Sequence, residues 1–306
     1  MHSFDLNIND EVSRLRAVIL GTATSNGPTP QLHEAYDPKS ALHIRQGTYP
    51  VEADMVAEME AVAQVLLRYD VMTFRPEVLE DTNQIFTRDI GFVIDDKFVR
   101  ANILPDRMKE IDAIQHVIDK IDPSKVLTPP DEVHVEGGDV MLIPGHILVG
   151  TYRGADYSNY IIARTNVHAH TWLEKQFPNR KVISFDLAKS NTDPYANALH
   201  LDCCFQPVGS KYAITYPGGF LREDEYAWIV NHFGADNIFE VTNEEMFNMN
   251  SNIFSIAPDV VISERNFTRL NTWLRSKNIT VEEVPYAEIS KQEGLLRCST
   301  LPLIRD

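Results

Sequence analysis

The sequence predicts an α/β protein of five ββαβ units closed radially into a propeller, and three observations carry that prediction. A hairpin, a helical pattern and a further extended segment recur in that order. The hairpins open at residues 90, 139, 199 and 252, at intervals of 49, 60 and 53 residues, which suits blade-like repeats. The first unit is short of one strand, and a strand-like segment after residue 294 is left over to complete it. Composition is globular, with 43% hydrophobic and 24% charged residues and only 14 Gly and 17 Pro, which excludes wholesale disorder and fibrous repeats. A chain of 306 residues accommodates one large domain or two ordinary ones, and the repeat favours a single domain over 1–306.

The elements follow in chain order. Arg16-Ala-Val-Ile-Leu-Gly21 reads as a buried strand, and Met55, Met59, Val62, Leu66 and Tyr69 mark one helix face before an extended piece from Val71 to Arg75. The second unit has a hairpin from Ile90 to Ile103 turning at Asp95-Asp96, a helix face of Ile111, Ile114, Ile118 and Ile121, and a strand over Lys125-Val-Leu127. The third runs as a hairpin from Asp139 to Tyr152, a helix from Ile161 to Phe177 and a strand from Lys181 to Phe185. The fourth has a hairpin from Leu199 to Tyr216, a helix from Glu223 to Phe233 and a strand from Asn237 to Val241. The fifth has a hairpin from Asn252 to Ser263, a helix from Phe267 to Lys277 and a strand from Thr280 to Val284. Leu295 to Ile304 is the extra strand. A doubly wound parallel sheet is the competing architecture, but hairpins want antiparallel pairing and no glycine-rich phosphate loop follows a strand. Thr22 to Pro50, punctuated by Pro and Gly, reads as a long loop without a clear element, either a surface cover or a lid.

Twenty-eight Lys and Arg against 44 Asp and Glu leave a net charge of −16, which repels phosphate backbones and anionic lipid, so nucleic acid and membrane are poor partners. Three cysteines, Cys203, Cys204 and Cys298, are too few and too odd in number for a disulfide framework and fit a reducing compartment. No cationic start with an apolar run opens the sequence, and the expected location is cytoplasmic. A homo-oligomer is left open.

Cys298 follows Arg297, and a neighbouring cation favours the thiolate that a nucleophile requires, although a lone cysteine in a strand is more often a core hydrophobe. His200 and Asp202 would share one face of a strand as a proton-transfer pair, or else form a packed histidine bonded to an acid. Glu136-Gly-Gly-Asp139 places paired acids beside close backbone approach, and Asn83-Gln-Ile-Phe-Thr-Arg-Asp89 sets Asp89 at the head of the second hairpin. Asp89, Glu136 with Asp139, and His200 with Asp202 hold one place in successive units, while Cys298 lies on the closing strand. A radial assembly would bring four acids, a histidine and a thiol together around a cation. No spacing for a metal site accompanies Cys203 and Cys204, and neither metal nor cofactor is expected.

Asn83-x-x-Phe86-x-Arg88-Asp89, Glu136-Gly-Gly-Asp139, His200-x-Asp202 and Arg297-Cys298-x-Thr300-x-Pro302 together resemble the guanidine-modifying superfamily of arginine deiminases, dimethylarginine dimethylaminohydrolases and amidinotransferases. The resemblance covers residues 16 to 306 and implies the five-bladed pentein fold. It implies that Cys298 attacks a guanidinium carbon to form a thiouronium intermediate, and that His200 relays protons with support from Glu136. It further implies that Asp89 and Asp202 grip the guanidinium, within a substrate site that includes Asn83, Phe86, Arg88 and Asp139. Arg107 and Arg164 would hold a substrate carboxylate, or form surface salt bridges. The expected activity is hydrolysis of a guanidino or ureido C–N bond in arginine or a derivative, as in arginine deiminase. Amidino transfer to an amine acceptor and dimethylarginine hydrolysis are the alternatives, and a non-catalytic binding propeller is a third reading that a Cys, His and Glu set speaks against. The partner expected is a small cationic guanidino compound.

Overall fold

Three hairpin tips are held by residues in the left-handed region, Asp95 (φ 54°), Gly145 (φ 75°) and Gly209 (φ 60°), which lets adjoining strands reverse tightly. A computed structural model describes residues 5–306, and the four residues at which the sequence opens lie outside those described. In chain order the elements are β1 (Leu15–Leu20), α1 (Pro38–Gln46), α2 (Glu52–Arg68), β2 (Met72–Phe74), β3 (Gly91–Ile94), β4 (Lys97–Arg100), α3 (Lys109–Asp112), α4 (Gln115–Ile118) and β5 (Val126–Leu127). They continue with β6 (Val140–Ile143), β7 (His146–Thr151), α5 (His168–Gln176), β8 (Lys181–Asp186), β9 (Phe205–Val208), β10 (Tyr212–Thr215), α6 (Glu223–Phe233), β11 (Ile238–Glu240) and α7 (Asn243–Phe247). The last are β12 (Phe254–Ala257), β13 (Val260–Glu264), α8 (Thr268–Ser276), β14 (Thr280–Val284) and β15 (Thr300–Arg305).

The strands make five three-stranded sheets of one design. In four of them a hairpin pairs the first two strands antiparallel and a helical crossover returns the third parallel to the second, which lies in the middle. The first sheet has the order β15-β1-β2. β15 pairs antiparallel with β1, from Leu15 opposite Arg305 to Leu20 opposite Thr300, and β2 pairs parallel with β1. The leftover strand therefore supplies what the first unit lacks. Met55, Met59, Val62 and Leu66 of α2 are all buried as their spacing requires, each such side chain contributing roughly 1.5–3 kcal/mol of burial.

Local expectations fail in five places. The isoleucine-lined helix of the second unit is two short pieces, α3 and α4, and the third unit's helix starts only at His168. Thr22 to Pro50 is not without an element, because Asp37 accepts from the Ser40 N–H (2.7 Å) and starts α1, which Gly47 ends at φ 67°. Cys298 precedes β15 rather than lying on it, and His200 to Cys204 form a single 3₁₀ turn ahead of β9 rather than a strand. Among the described residues no helix is long and apolar enough to cross a membrane, and Cys203, Cys204 and Cys298 are unpaired thiols.

Candidate active site

The candidate residues cluster in the turns just before the first strand of each unit. Asp89, Asn252 and Cys298 each stand two residues before the first strand of their unit (β3, β12 and β15), and Glu136 and His200 lie in the turns leading into β6 and β9. Cys298, His200 and Asp89 line a cavity of about 650 Å³, together with Asn83, Phe86, Arg107, Arg164 and a wall contributed by residues 26 to 37. Glu136 sits directly behind His200.

His200 Nε2 is 2.8 Å from Glu136 Oε2, and His200 Nδ1 is 3.7 Å from Asp89 Oδ1. The glycines of Glu136-Gly-Gly-Asp139 make this packing possible. A Cβ on Gly138 would fall 2.6 Å from His200 Nδ1, and one on Gly137 would fall 2.1 Å from the Arg88 carbonyl oxygen. Asp89 accepts from Arg107 Nη1 through Oδ2 (2.9 Å), and its buried Oδ1 has no hydrogen-bond partner and faces the histidine. Cys298 Sγ lies 3.1 Å from Asn252 Nδ2 and 3.6 Å from Asp202 Oδ2.

Burial by itself would pull the His200 imidazole below its ordinary 6.5, but Asp89, Asp139 and the bond to Glu136 carry it up to about 9. Burial would raise the Glu136 carboxyl, yet Arg164 and His200 hold it down to about 2. Burial pushes the Cys298 thiol well up, and Asp202 and Asp89 repel the thiolate further. At neutral pH the site thus holds an imidazolium, a carboxylate and a thiol. Asp89, Glu136 and His200 offer ligand atoms within 4.8 Å of one another, but the imidazole is protonated and the acids are engaged by Arg107 and Arg164. That set suits an organic cation better than a metal ion.

A pH dependence follows. Because the folded pKa of His200 is raised, its contribution to stability is fully present below about 6.5 and is lost as pH rises through about 9. Urea unfolding at intervals across that window should show stability falling with pH, and His200→Asn should flatten that part of the slope. An unchanged slope in the variant would mean that His200 does not titrate there.

Several predicted residues do other work. Arg88 is off the cavity wall, buried with Nε 3.4 Å from the Arg297 carbonyl. Asp139 is also off the wall: its Oδ1 accepts from the Leu201 N–H (2.9 Å) and pins the turn that follows His200. Asp202 is buried beside the sulfur, with Oδ2 held by Arg297 Nη1 at 2.9 Å. Arg297 does not activate its neighbour, because its guanidinium is committed to Glu11 (3.0 and 3.2 Å) and Asp202, and the thiol is raised rather than lowered. Neither Arg107 nor Arg164 is on the surface. Arg107 binds Asp89 and Glu110, and Arg164 meets Glu136 at 3.4 Å and donates to the Tyr36 carbonyl (2.9 Å) and the Ile161 carbonyl (2.7 Å). Asn83 Nδ2 donates to Gln292 Oε1 (2.6 Å), and the Phe86 ring packs over Gly294.

Sequence reasoning missed Glu11 and Asn252. Nothing local marks Glu11, whose partner is at the far end of the chain. Asn252 could have been found, because it opens the fifth hairpin just where Asp89 opens the second.

The family model described as N,N dimethylarginine dimethylhydrolase, eukaryotic, matches residues 43–305. The chain is 29% identical over 225 residues to the uncharacterized protein YkgA of Bacillus subtilis (strain 168), covering 72% of this chain and 70% of that protein. It is 26% identical over 209 residues to the arginine deiminase of Pediococcus pentosaceus, covering 56% of this chain and 48% of the deiminase, so it spans about half that enzyme's length. The solved structure of the inosamine-phosphate amidinotransferase StrB1 from Streptomyces griseus superposes with a TM-score of 0.77 at 14% identity, covering 99% of this chain and 97% of StrB1.

Proposed function

From a chain that belongs to the eukaryotic-type N,N-dimethylarginine dimethylhydrolase family, within the guanidino-modifying superfamily, we propose a cysteine-dependent hydrolase of a guanidino C–N bond in arginine or an N-substituted arginine. The observation that carries this reading is the convergence on one cavity of the Cys298 sulfur, the Glu136-bound His200 and the unpartnered Asp89 Oδ1. We take the five sheets to be the blades of a closed propeller, with the turn before each first strand facing its centre.

The chemistry runs in two halves. A guanidinium enters against Asp89, and its positive charge favours the thiolate that burial and the acids disfavour. The thiol proton is lost to water, Cys298 Sγ bonds to the guanidinium carbon, and the C–N bond breaks as His200 gives its proton to the departing amine. Water then adds to the thiouronium carbon and returns a proton to His200. The C–S bond breaks, leaving a ureido product and, after reprotonation, the thiol. Glu136 keeps the imidazole charged for the first half and ready to recover its proton in the second.

Incubating the purified protein with arginine, methylated arginines and agmatine, while measuring ammonia, alkylamine and ureido product, tests the reading. Product formed without an amine acceptor is the expected result. Product only after glycine, lysine or ornithine is added would replace hydrolysis with amidino transfer, the reaction class of the StrB1 neighbour.

A further inference from the structure

Asn252 is fully buried, and its side-chain amide has no freedom to turn. Oδ1 accepts from two successive backbone N–H groups, of Arg297 (2.9 Å) and Cys298 (3.1 Å), so the oxygen must face the nucleophile loop. Reversing the amide would set its NH₂ against two donors. The nitrogen is therefore fixed toward Cys298 Sγ at 3.1 Å and the Asp202 carbonyl at 3.3 Å. Every hydrogen-bonding valence of the amide is used, which is how a buried polar group is held in one orientation.

The sulfur needs such a donor. Asp202 and Asp89 both oppose a thiolate; Cys203 is a neighbouring neutral thiol; the guanidinium of Arg297 is spent on Glu11 and Asp202; and besides the Leu295 backbone, Asn252 is the group that favours the anion. Asn252 also holds in its own unit the place that Asp89 and Cys298 hold in theirs, two residues before the first strand.

We infer that Asn252 is a catalytic residue, whose amide N–H receives the negative charge of the Cys298 sulfur as the thiolate forms and again as it leaves the thiouronium. The assignment rests on Cys298 being the nucleophile. It adds a fixed donor to the sulfur, so the nucleophile is not ionised by the bound cation alone.

The isostere separates this role from support of the backbone. Asn252→Asp still accepts from both N–H groups but turns an oxygen toward the sulfur, whereas Asn252→Ala removes both functions. Alkylation of Cys298 by iodoacetamide between pH 8 and 9.5, followed by mass spectrometry of its peptide, reads the thiolate fraction without any turnover. The rate should fall at least about tenfold in Asn252→Asp and several-fold in Asn252→Ala, with kcat reduced about 10²-fold in the latter, as for loss of one oxyanion donor. Asn252→Ser, which keeps an acceptor for the loop, substitutes for the aspartate variant if that one does not fold. Folded variants alkylated at the rate of the unchanged protein would overturn the assignment. If Cys298→Ser instead retained turnover, it would be the nucleophile reading that falls, and the alkylation result would still report whether Asn252 and the sulfur are coupled.

Discussion

Cys298→Ser should lose at least about 10⁴-fold in kcat while its unfolding midpoint stays within a few degrees of the unchanged protein. The two side chains are close in shape, and Asn252 Nδ2 can donate to a hydroxyl as readily as to a thiol. The chemistry differs sharply. A serine hydroxyl has no accessible anion beside Asp202 and Asp89, and the neighbouring His200 is already protonated below about pH 9. A bound guanidinium can draw a thiol toward its thiolate but cannot do the same for an alcohol. Steady-state assays with intact-mass analysis during turnover check this. Residual activity above about 1% in the serine variant, or no mass adduct on Cys298 at any substrate concentration, would remove covalent catalysis from the account.

Arg297→Met is expected to cost about 3–5 kcal/mol of stability, the largest effect of any single substitution considered. Arg297 is wholly buried and binds two acids distant from it in sequence, Glu11 with both oxygens and Asp202 with one, while donating to the Val140 carbonyl at 2.7 Å. Removing it leaves two carboxylates in a dry interior with their principal cation gone. Lysine should rescue little, because one ammonium cannot reproduce a planar fork serving Glu11, Asp202 and the Val140 and Gly138 carbonyls. Urea unfolding measures the loss. Adding Glu11→Gln to Arg297→Met should recover part of it, since one stranded charge is then absent. A loss below about 1 kcal/mol would mean that Glu11 and Asp202 are not held by this guanidinium.

The fold was legible because its units repeat. Hairpins, helices and returning strands each announce themselves by period, and four imperfect copies at 49 to 60 residues reinforce one another where any one alone would be ambiguous. The spare segment before residue 305 was readable as a partner for β1 on the same logic, and the pairing of Leu20 with Thr300 bears that out. What periodicity could not show was where a strand stops. Cys298 and His200 sit in turns that follow or precede apolar runs, and burial of those turns makes them look like strand. Their side chains therefore point as the turns dictate rather than by alternation.

The site was legible as a set of residues more than as a set of roles. Asp89, His200 and Cys298 do meet at one cavity, with Glu136 behind the histidine. Sequence adjacency misassigned the cation beside the thiol, because Arg297 looks like an activator of Cys298 until Glu11 is seen to claim it. A pairing across nearly the full length of the chain leaves no local trace. Asp139 and Arg88 likewise belong to recognisable motifs, yet the motifs carry packing as well as chemistry, and only coordinates separate the two.

The pairing of β15 with β1 also bears on how the molecule is made. Leu15 waits for Arg305, and every contact between those strands closes a loop of nearly the whole chain. Closure of so long a loop is slow, and its entropy must be met before the contacts reward it. The four internal units can form their sheets from neighbouring sequence, but the strand that follows Cys298 can dock only when the rest is in place. Folding should therefore proceed with the Cys298 thiol exposed until its final step, and that step, the docking of Thr300–Arg305, would be the moment at which sulfur, acid and imidazole first share a cavity.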